Sequence, residues 1–213
     1  MTDADGREEP SDLEDHDAEP LEVSPAPAEI EELSKACLEY VQRAVGMELD
    51  GSSETLPILD HYLSMVRETA DGRPSLVPLI GRAVGAYFGE VARRHFGGSW
   101  LLPDADAHHW LVGLAPVYLS FNPVGVAYDA LFARADHDGP SSELKLAPEE
   151  REVVERRLGA LPEMTETDYF RLSTRLEVLE IAVEALRAEL HAEGRSDVVF
   201  EAGDYEGELE LDK

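Results

Sequence analysis

The sequence predicts an α+β fold that is predominantly helical, with a small antiparallel sheet and a C-terminal helical hairpin built on a long heptad helix. Three observations favour this class. Long segments on both sides of the middle carry apolar residues at helical spacing. Between them, residues 99–121 change to short aromatic and β-branched runs. The last third then repeats leucine and valine at alternating spacings of three and four.

Two helices open the part of the chain that we expect to fold. Residues 29–45 place their apolar side chains on one face, and Gly46 follows as a stop signal. A turn at Asp50-Gly51 separates this helix from a second one at residues 55–70. Pro57 lies in the first turn of that second helix, where a missing N–H costs nothing.

A third helix is predicted at residues 75–96, and it carries an unusual stripe of glycine. Gly81, Gly85 and Gly89 are spaced by four and therefore share one face. Each glycine costs a helix about 0.5–1 kcal/mol relative to alanine, so the stripe needs a compensating contact. Either another helix or strand approaches the backbone closely there, or the stripe forms a groove that receives a ligand or a partner peptide.

The sheet is predicted from residues 99–102, 108–114 and 116–121, which read as two or three antiparallel strands. Asn122-Pro123 then supplies a helix cap and a first helical residue, which opens a helix that extends to about residue 134. Residues 135–146 are polar and are predicted to form a loop.

The hairpin begins with a helix at residues 148–159. A capping box at Thr165–Asp168 starts a second helix that has no breaker before Gly194 and should be about 40 Å long. The shorter helix can cover only the first half of the apolar seam on the longer helix. The remaining seam residues are covered either by the N-terminal domain or by a second copy in a coiled-coil homodimer; these residues are Val183, Leu186 and Leu190.

Acidic residues are concentrated in some segments of the chain, and this distribution helps to define domain boundaries. The 213 residues contain 46 acidic and 18 basic side chains, for a net charge of −28. Residues 1–28 carry ten acidic residues, four prolines and only Arg7, which predicts a disordered acidic tail. We therefore divide the chain into this tail, an α+β domain at 29–146, the hairpin at 147–194 and an acidic C-terminal tail at 195–213.

This charge also bears on the partners. Nucleic acid and anionic membranes attract clustered lysine and arginine, and no such cluster stands in the sequence, so we expect neither as a partner. The electrostatic field of such a negative chain attracts a protein that has a basic surface. The sequence has no apolar run of membrane-spanning length, no signal peptide at residues 1–20 and a single cysteine, Cys37. We expect a soluble, cytoplasmic protein.

Motifs for common enzyme chemistry are not found, and we expect no cofactor. One cluster suggests a metal: Asp104, Asp106 and His108 alternate, so an extended chain projects them to one side. The alternative is ordinary turn chemistry, in which aspartate is common. Glu90 and His95 could join this cluster only with help from the fold, and Glu90 more simply pairs with Arg94.

The last residues, 197–213, interleave Phe200, Tyr205 and other apolar residues with seven acids. They are either a frayed terminus, or a segment that docks in a basic groove or adds a strand to a sheet edge.

Four short motifs in the middle of the chain form a recognisable pattern: Leu59-Asp60, the run GAYFGEV at 85–91, Gly97-Gly98 with Trp100, and Asn122-Pro123. With these motifs, residues 48–134 resemble a widespread family of uncharacterised bacterial domains. The resemblance implies a small bacterial α+β domain, and it implies no activity.

The first functional hypothesis is a non-enzymatic bacterial interaction or regulatory protein, which contacts its partner through the heptad helix or the tails. The second is a metal-assisted hydrolase that uses Asp104, Asp106 and His108. A third is that the acidic surface imitates nucleic acid and so occupies a basic protein.

Overall fold

The computed structural model describes residues 25–70 and 74–207. Within these ranges the chain forms an α+β fold of seven α-helices and one three-stranded antiparallel sheet, so the predicted fold class is confirmed. Most of the segment predicted as a disordered tail, residues 1–24, lies outside the described residues, and so do residues 208–213. The first helix already begins at Ala28.

The elements follow the predicted order, with most ends within a few residues of their expected places. The helices are α1 (Ala28–Val45), α2 (Leu56–Ala70), α3 (Val77–Phe96), α4 (Pro123–Phe132), α5 (Pro148–Leu158), α6 (Glu166–Tyr169) and α7 (Leu172–Ala192). The strands are β1 (Gly98–Leu101), β2 (Leu111–Leu114) and β3 (Ser120–Phe121). None of the helices in the described ranges is both long enough and apolar enough to cross a membrane.

Local signals fix several of these ends. Gly46 adopts a left-handed conformation with φ of 77°, and its N–H donates to the Gln42 carbonyl to close α1. Asn122 caps α4, because its Oδ1 accepts hydrogen bonds from the backbone N–H groups of Val124 and Gly125.

The centre of the molecule is α3, which packs against α1, α4 and the sheet. Its buried Phe88 meets Phe121 of β3 edge to face, with ring centroids 6.2 Å apart. The sheet has the order β1-β2-β3, and Trp100 pairs with Val112 in the register of its first two strands. Ser120 of β3 also bridges to Lys145, which brings the loop before α5 to the sheet.

The long helix predicted from residue 165 is interrupted, and this expectation was wrong. Phe170 and Arg171 separate α6 from α7, which has 21 residues and is about 31 Å long. Asp60 of α2 binds the start of α7. Its carboxylate accepts hydrogen bonds from the Leu172 N–H at 2.7 Å, the Ser173 N–H at 3.2 Å and the Ser173 hydroxyl at 2.7 Å, and so caps α7 from another helix.

Candidate functional site

The glycine stripe of α3 is filled by the chain itself. Gly81 lies under the Tyr128 ring, and Gly89 lies against the Trp100 ring. At Gly85 the approach involves backbone, since a Cβ placed there would stand 2.5 Å from the Val124 Cα. The stripe therefore lets α4 and β1 approach α3 closely, and this contact takes the place of the ligand groove that was the alternative.

The apolar seam of α7 is covered within the same chain. Val183 and Leu186 are buried, and the half-buried Leu190 packs against the same core cluster. Helix α7 packs mainly against α5 and α2, and it also contacts α4 and α6. Of the two alternatives for this seam, packing within the chain buries Val183 and Leu186 and half-buries Leu190, and a homodimer through this helix stays a prediction.

The described part of the acidic C-terminal segment folds onto the sheet. Tyr205 is 1% exposed, and its ring covers Gly113 of β2 and stacks on Tyr118. Its hydroxyl donates to the Leu114 carbonyl at 2.7 Å. The Phe200 N–H donates to Ala115 O at 2.8 Å. Tyr205 is thus unavailable to a partner, and residues 198–205 form a strap over the sheet.

The three candidate metal ligands do not converge. His108 Nδ1 lies 2.8 Å from Asp106 Oδ1, whereas Asp104 Oδ2 pairs with Nδ1 of His109 at 2.9 Å. His95 lies elsewhere, 2.9 Å from a carboxylate oxygen of Glu180 in α7. Among the described residues no group of three or more His, Cys, Asp or Glu could hold a metal ion. The metal-assisted hydrolase remains a prediction of the sequence alone.

Glu90 forms a buried ion pair beside β1. Arg93 binds its carboxylate with two nitrogens, at 2.7 and 3.0 Å, and the Trp100 indole donates to it at 2.7 Å. The predicted partner Arg94 also approaches, at 3.2 Å. Burial by itself raises the pKa of the Glu90 carboxyl, but the hydrogen bonds and the two arginine charges outweigh burial and lower that pKa. The carboxylate is therefore engaged in holding α3 to β1.

A second buried cluster contains the residue types of a hydrolase triad, and the sequence analysis missed it. His137 and Asp129 are only 4% and 2% exposed, and His137 Nε2 lies 2.9 Å from Asp129 Oδ1. The Ser142 hydroxyl donates to the other oxygen of Asp129 instead of to the histidine. His137 Nδ1 accepts the Gly139 N–H at 3.1 Å. Because Asp129 takes both donors, serine and histidine do not form a nucleophile–base pair.

This cluster instead fixes the loop between α4 and α5. Arg175 of α7 places Nη1 3.9 Å from Asp129 Oδ2 and donates from Nη2 to the Ser142 carbonyl at 3.2 Å. The Asp129 carboxylate thereby joins α4, the loop before α5 and α7. Asp129 stands in an otherwise apolar helical run, PVGVAYDALF, and a lone acid there is a signal that could have found the cluster.

A cleft of about 410 Å³ lies beside the cap of α7, where Asp60, Arg67 and Arg171 line its wall. Burial raises the pKa of the Asp60 carboxyl, and its hydrogen bonds to Ser173 and Leu172 oppose that rise. The α7 cap therefore already uses this carboxylate.

Cys37 is fully buried in α1, and burial raises the pKa of its thiol to about 12. We expect the native protein to resist Ellman's reagent, because neither the thiolate nor access to it is available. In guanidinium chloride the same sample should release one equivalent of chromophore, since the chain has a single cysteine. A full equivalent released from the native protein within minutes would contradict this burial.

An open groove with an apolar floor lies at the end of α1. A groove of about 540 Å³, here called the α1 groove, is lined by Leu38, Glu39, Gln42, Arg43, Glu48 and Leu49. Leu49 is buried and Leu38 is half-buried against the core, so the floor is apolar. Glu39 and Glu48 are exposed on the rim. Met47, in the adjoining loop, leaves 51% of its surface exposed.

Comparison with known proteins gives no relative for this chain. No protein-family model, no curated protein and no solved structure matches it. The resemblance of residues 48–134 to an uncharacterised bacterial domain family therefore receives no support from these comparisons.

Proposed function

We propose that this chain is a non-enzymatic protein-binding protein whose α1 groove receives a basic, amphipathic segment of another protein. The observation that carries the proposal is the make-up of the groove, whose lining combines an apolar floor with two exposed carboxylates, Glu39 and Glu48. Apolar side chains of a helix fit such a floor, and lysine or arginine beside them fits the rim.

Charge supports the same occupant. The chain carries a net charge of −28, so its field attracts a basic partner at long range and repels an acidic one. Arg43 is the one basic side chain among the groove residues. The proposal keeps the bacterial, cytoplasmic interaction or regulatory role expected from the sequence and moves the contact surface from α7 to α1.

The test uses a fluorescent 16-residue helical peptide of leucine and lysine, titrated with the full chain and followed by anisotropy. The double variant Glu39→Lys/Glu48→Lys is expected to weaken binding by about tenfold or more, because it places positive charge beside the lysines of the peptide. Raising the salt from about 0.05 to 0.3 M should weaken binding of the unaltered protein as well.

The matched control is Glu152→Lys/Glu155→Lys, which makes the same change of charge on exposed positions of α5. We expect this control to weaken binding much less than the groove variant. An equal loss in both variants would show that the net charge alone attracts the peptide and would contradict a site at the α1 groove. Absence of binding by the unaltered protein at low salt would contradict the proposed function itself.

A further inference from the structure

The cleft of about 410 Å³ beside the cap of α7 contains a guanidinium that the fold itself does not bind. It lies between one face of α2, helix α6, the break after α6 and the first turn of α7. We call it the cap cleft. It shares no residue with the α1 groove, so an inference about its ligand stands or falls separately from the proposed function.

The guanidinium belongs to Arg67, in the last turn of α2. Arg67 has no hydrogen-bond or ion-pair partner among residues 25–70 and 74–207, and its Nε is buried without an acceptor. Such a donor is rare in proteins, because it loses its bonds to water and gains none in return. The end of a helix favours a positive charge, but here it supplies no acceptor for Nε.

The two carboxylates nearest the cap cleft already have partners. Asp60 accepts three hydrogen bonds from the start of α7, where the positive end of the helix dipole also stabilises its charge. Asp168, which adjoins the lining, binds Nη2 of Arg171 at 2.9 Å. Neither carboxylate is bonded to Arg67, so the guanidinium of Arg67 is left for a ligand.

The charges around the cap cleft limit the charge of that ligand. Arg67 and Arg171 stand against Asp60 in the lining and Asp168 beside it, so the formal sum is zero. His61 is exposed and adds a positive charge only when it is protonated. Two further acids are close in sequence but do not line the cleft: Glu68 and Glu166. With one unpaired guanidinium, the site suits a single negative charge and not two.

The floor of the cap cleft is apolar. Leu63, Ala130 and Phe170 are buried in the core and line it, and Pro57 lines it from an exposed position. An apolar group of a ligand fits against such a floor, whereas a strongly hydrated anion gains nothing from it. The volume lies within the range of about 300–1,000 Å³ that is usual for small-molecule sites.

We propose that the cap cleft binds a small monocarboxylic acid with an apolar body. A carboxylate carries one negative charge and matches the planar donors of a guanidinium, which an amide or a hydroxyl does less well. The net charge of −28 opposes any anion at long range, so binding depends on these short contacts.

The experiment titrates the isotope-labelled full chain and follows its backbone amide signals by nuclear magnetic resonance, with salt at about 0.15 M to screen the long-range field. The ligands are phenylacetate, phenylacetamide and acetate. We expect phenylacetate to bind with a Kd below about 1 mM and the other two to bind at least about tenfold more weakly. The amide lacks the charge, and acetate lacks the apolar body.

Arg67→Gln should weaken binding of phenylacetate by about tenfold or more, and Arg67→Lys should weaken it by a smaller factor, because lysine keeps the charge and loses the planar donors. Neither variant should shift amide signals far from the cap cleft, since Arg67 binds no other described residue. The matched control is Arg187→Gln, which removes an exposed arginine of α7 that does not line the cleft.

Full affinity in the Arg187→Gln control, together with the loss in Arg67→Gln, supports the site. Equal losses in both variants overturn it, because they show attraction by charge alone. Equal affinity for phenylacetamide overturns the assignment to an anion, and tighter binding of phenyl phosphate overturns the assignment to a single charge. No binding of phenylacetate up to about 10 mM overturns the proposal as a whole.

Discussion

The Asp129→Ala variant is expected to lose about 3–5 kcal/mol of unfolding free energy, the range found when a buried ion pair loses one partner. The Asp129 carboxylate accepts hydrogen bonds from His137 and Ser142 and faces Arg175; the imidazole and the guanidinium are buried, and Ser142 is half-buried. Alanine would leave a buried guanidinium and two donors without their acceptor. Urea unfolding followed by circular dichroism measures the loss.

Two comparisons isolate the cause of that loss. Ser142→Ala removes one donor and leaves the charge pair, so we expect about 1 kcal/mol. Glu184→Ala removes the partner of Arg157 from an exposed ion pair 4.0 Å apart, for which at most about 0.5 kcal/mol is expected. A loss below about 1 kcal/mol in Asp129→Ala would show that the cluster does not hold the loop between α4 and α5.

The Tyr205→Ala variant is expected to lose about 3–5 kcal/mol, which is usual for removal of a large buried ring. The ring is one of the largest fully buried side chains and covers Gly113, a residue with no side chain of its own to fill the space. Its removal should release the strap from β1 and β2. Limited proteolysis should then cut near residue 200 faster than in the unaltered protein.

The Tyr205→Phe variant separates the ring from the hydroxyl. It keeps the stacking on Tyr118 at 4.9 Å and removes the bond to the Leu114 carbonyl, so about 1–3 kcal/mol is expected. We expect cleavage near residue 200 to remain slow in this variant. Unfolding and proteolysis of Tyr205→Ala that match those of the unaltered protein would contradict a structural role for the strap.

Elements with local signals were predicted closely. Gly46 ends α1 and Asn122-Pro123 opens α4 because a glycine stop and a capping amide act within a few residues. The break before α7 could not be predicted in this way. The group that caps Leu172 is Asp60, 112 positions earlier, and only the tertiary fold brings the two together.

For the candidate sites too, local features were predicted from the sequence and long-range contacts were not. Sequence spacing correctly placed the three glycines of α3 on one face, but it could not decide that Tyr128, Val124 and Trp100 fill that face. The same limit applies to α7, whose seam residues are apolar whether they meet α5 or a second copy. The α1 groove combines α1 with the loop that follows it, so periodicity within the helix alone does not reveal the groove.

The strap has a consequence for the order of events during synthesis. Tyr205 bonds to Leu114 across 91 positions, so β2 emerges from the ribosome long before the ring that covers it. Until then Gly113 and its neighbours on that face stay open to water and to other nascent chains. Covering of this face is therefore a late step of folding, and a translational pause before residue 205 would lengthen the time for which the face stays exposed.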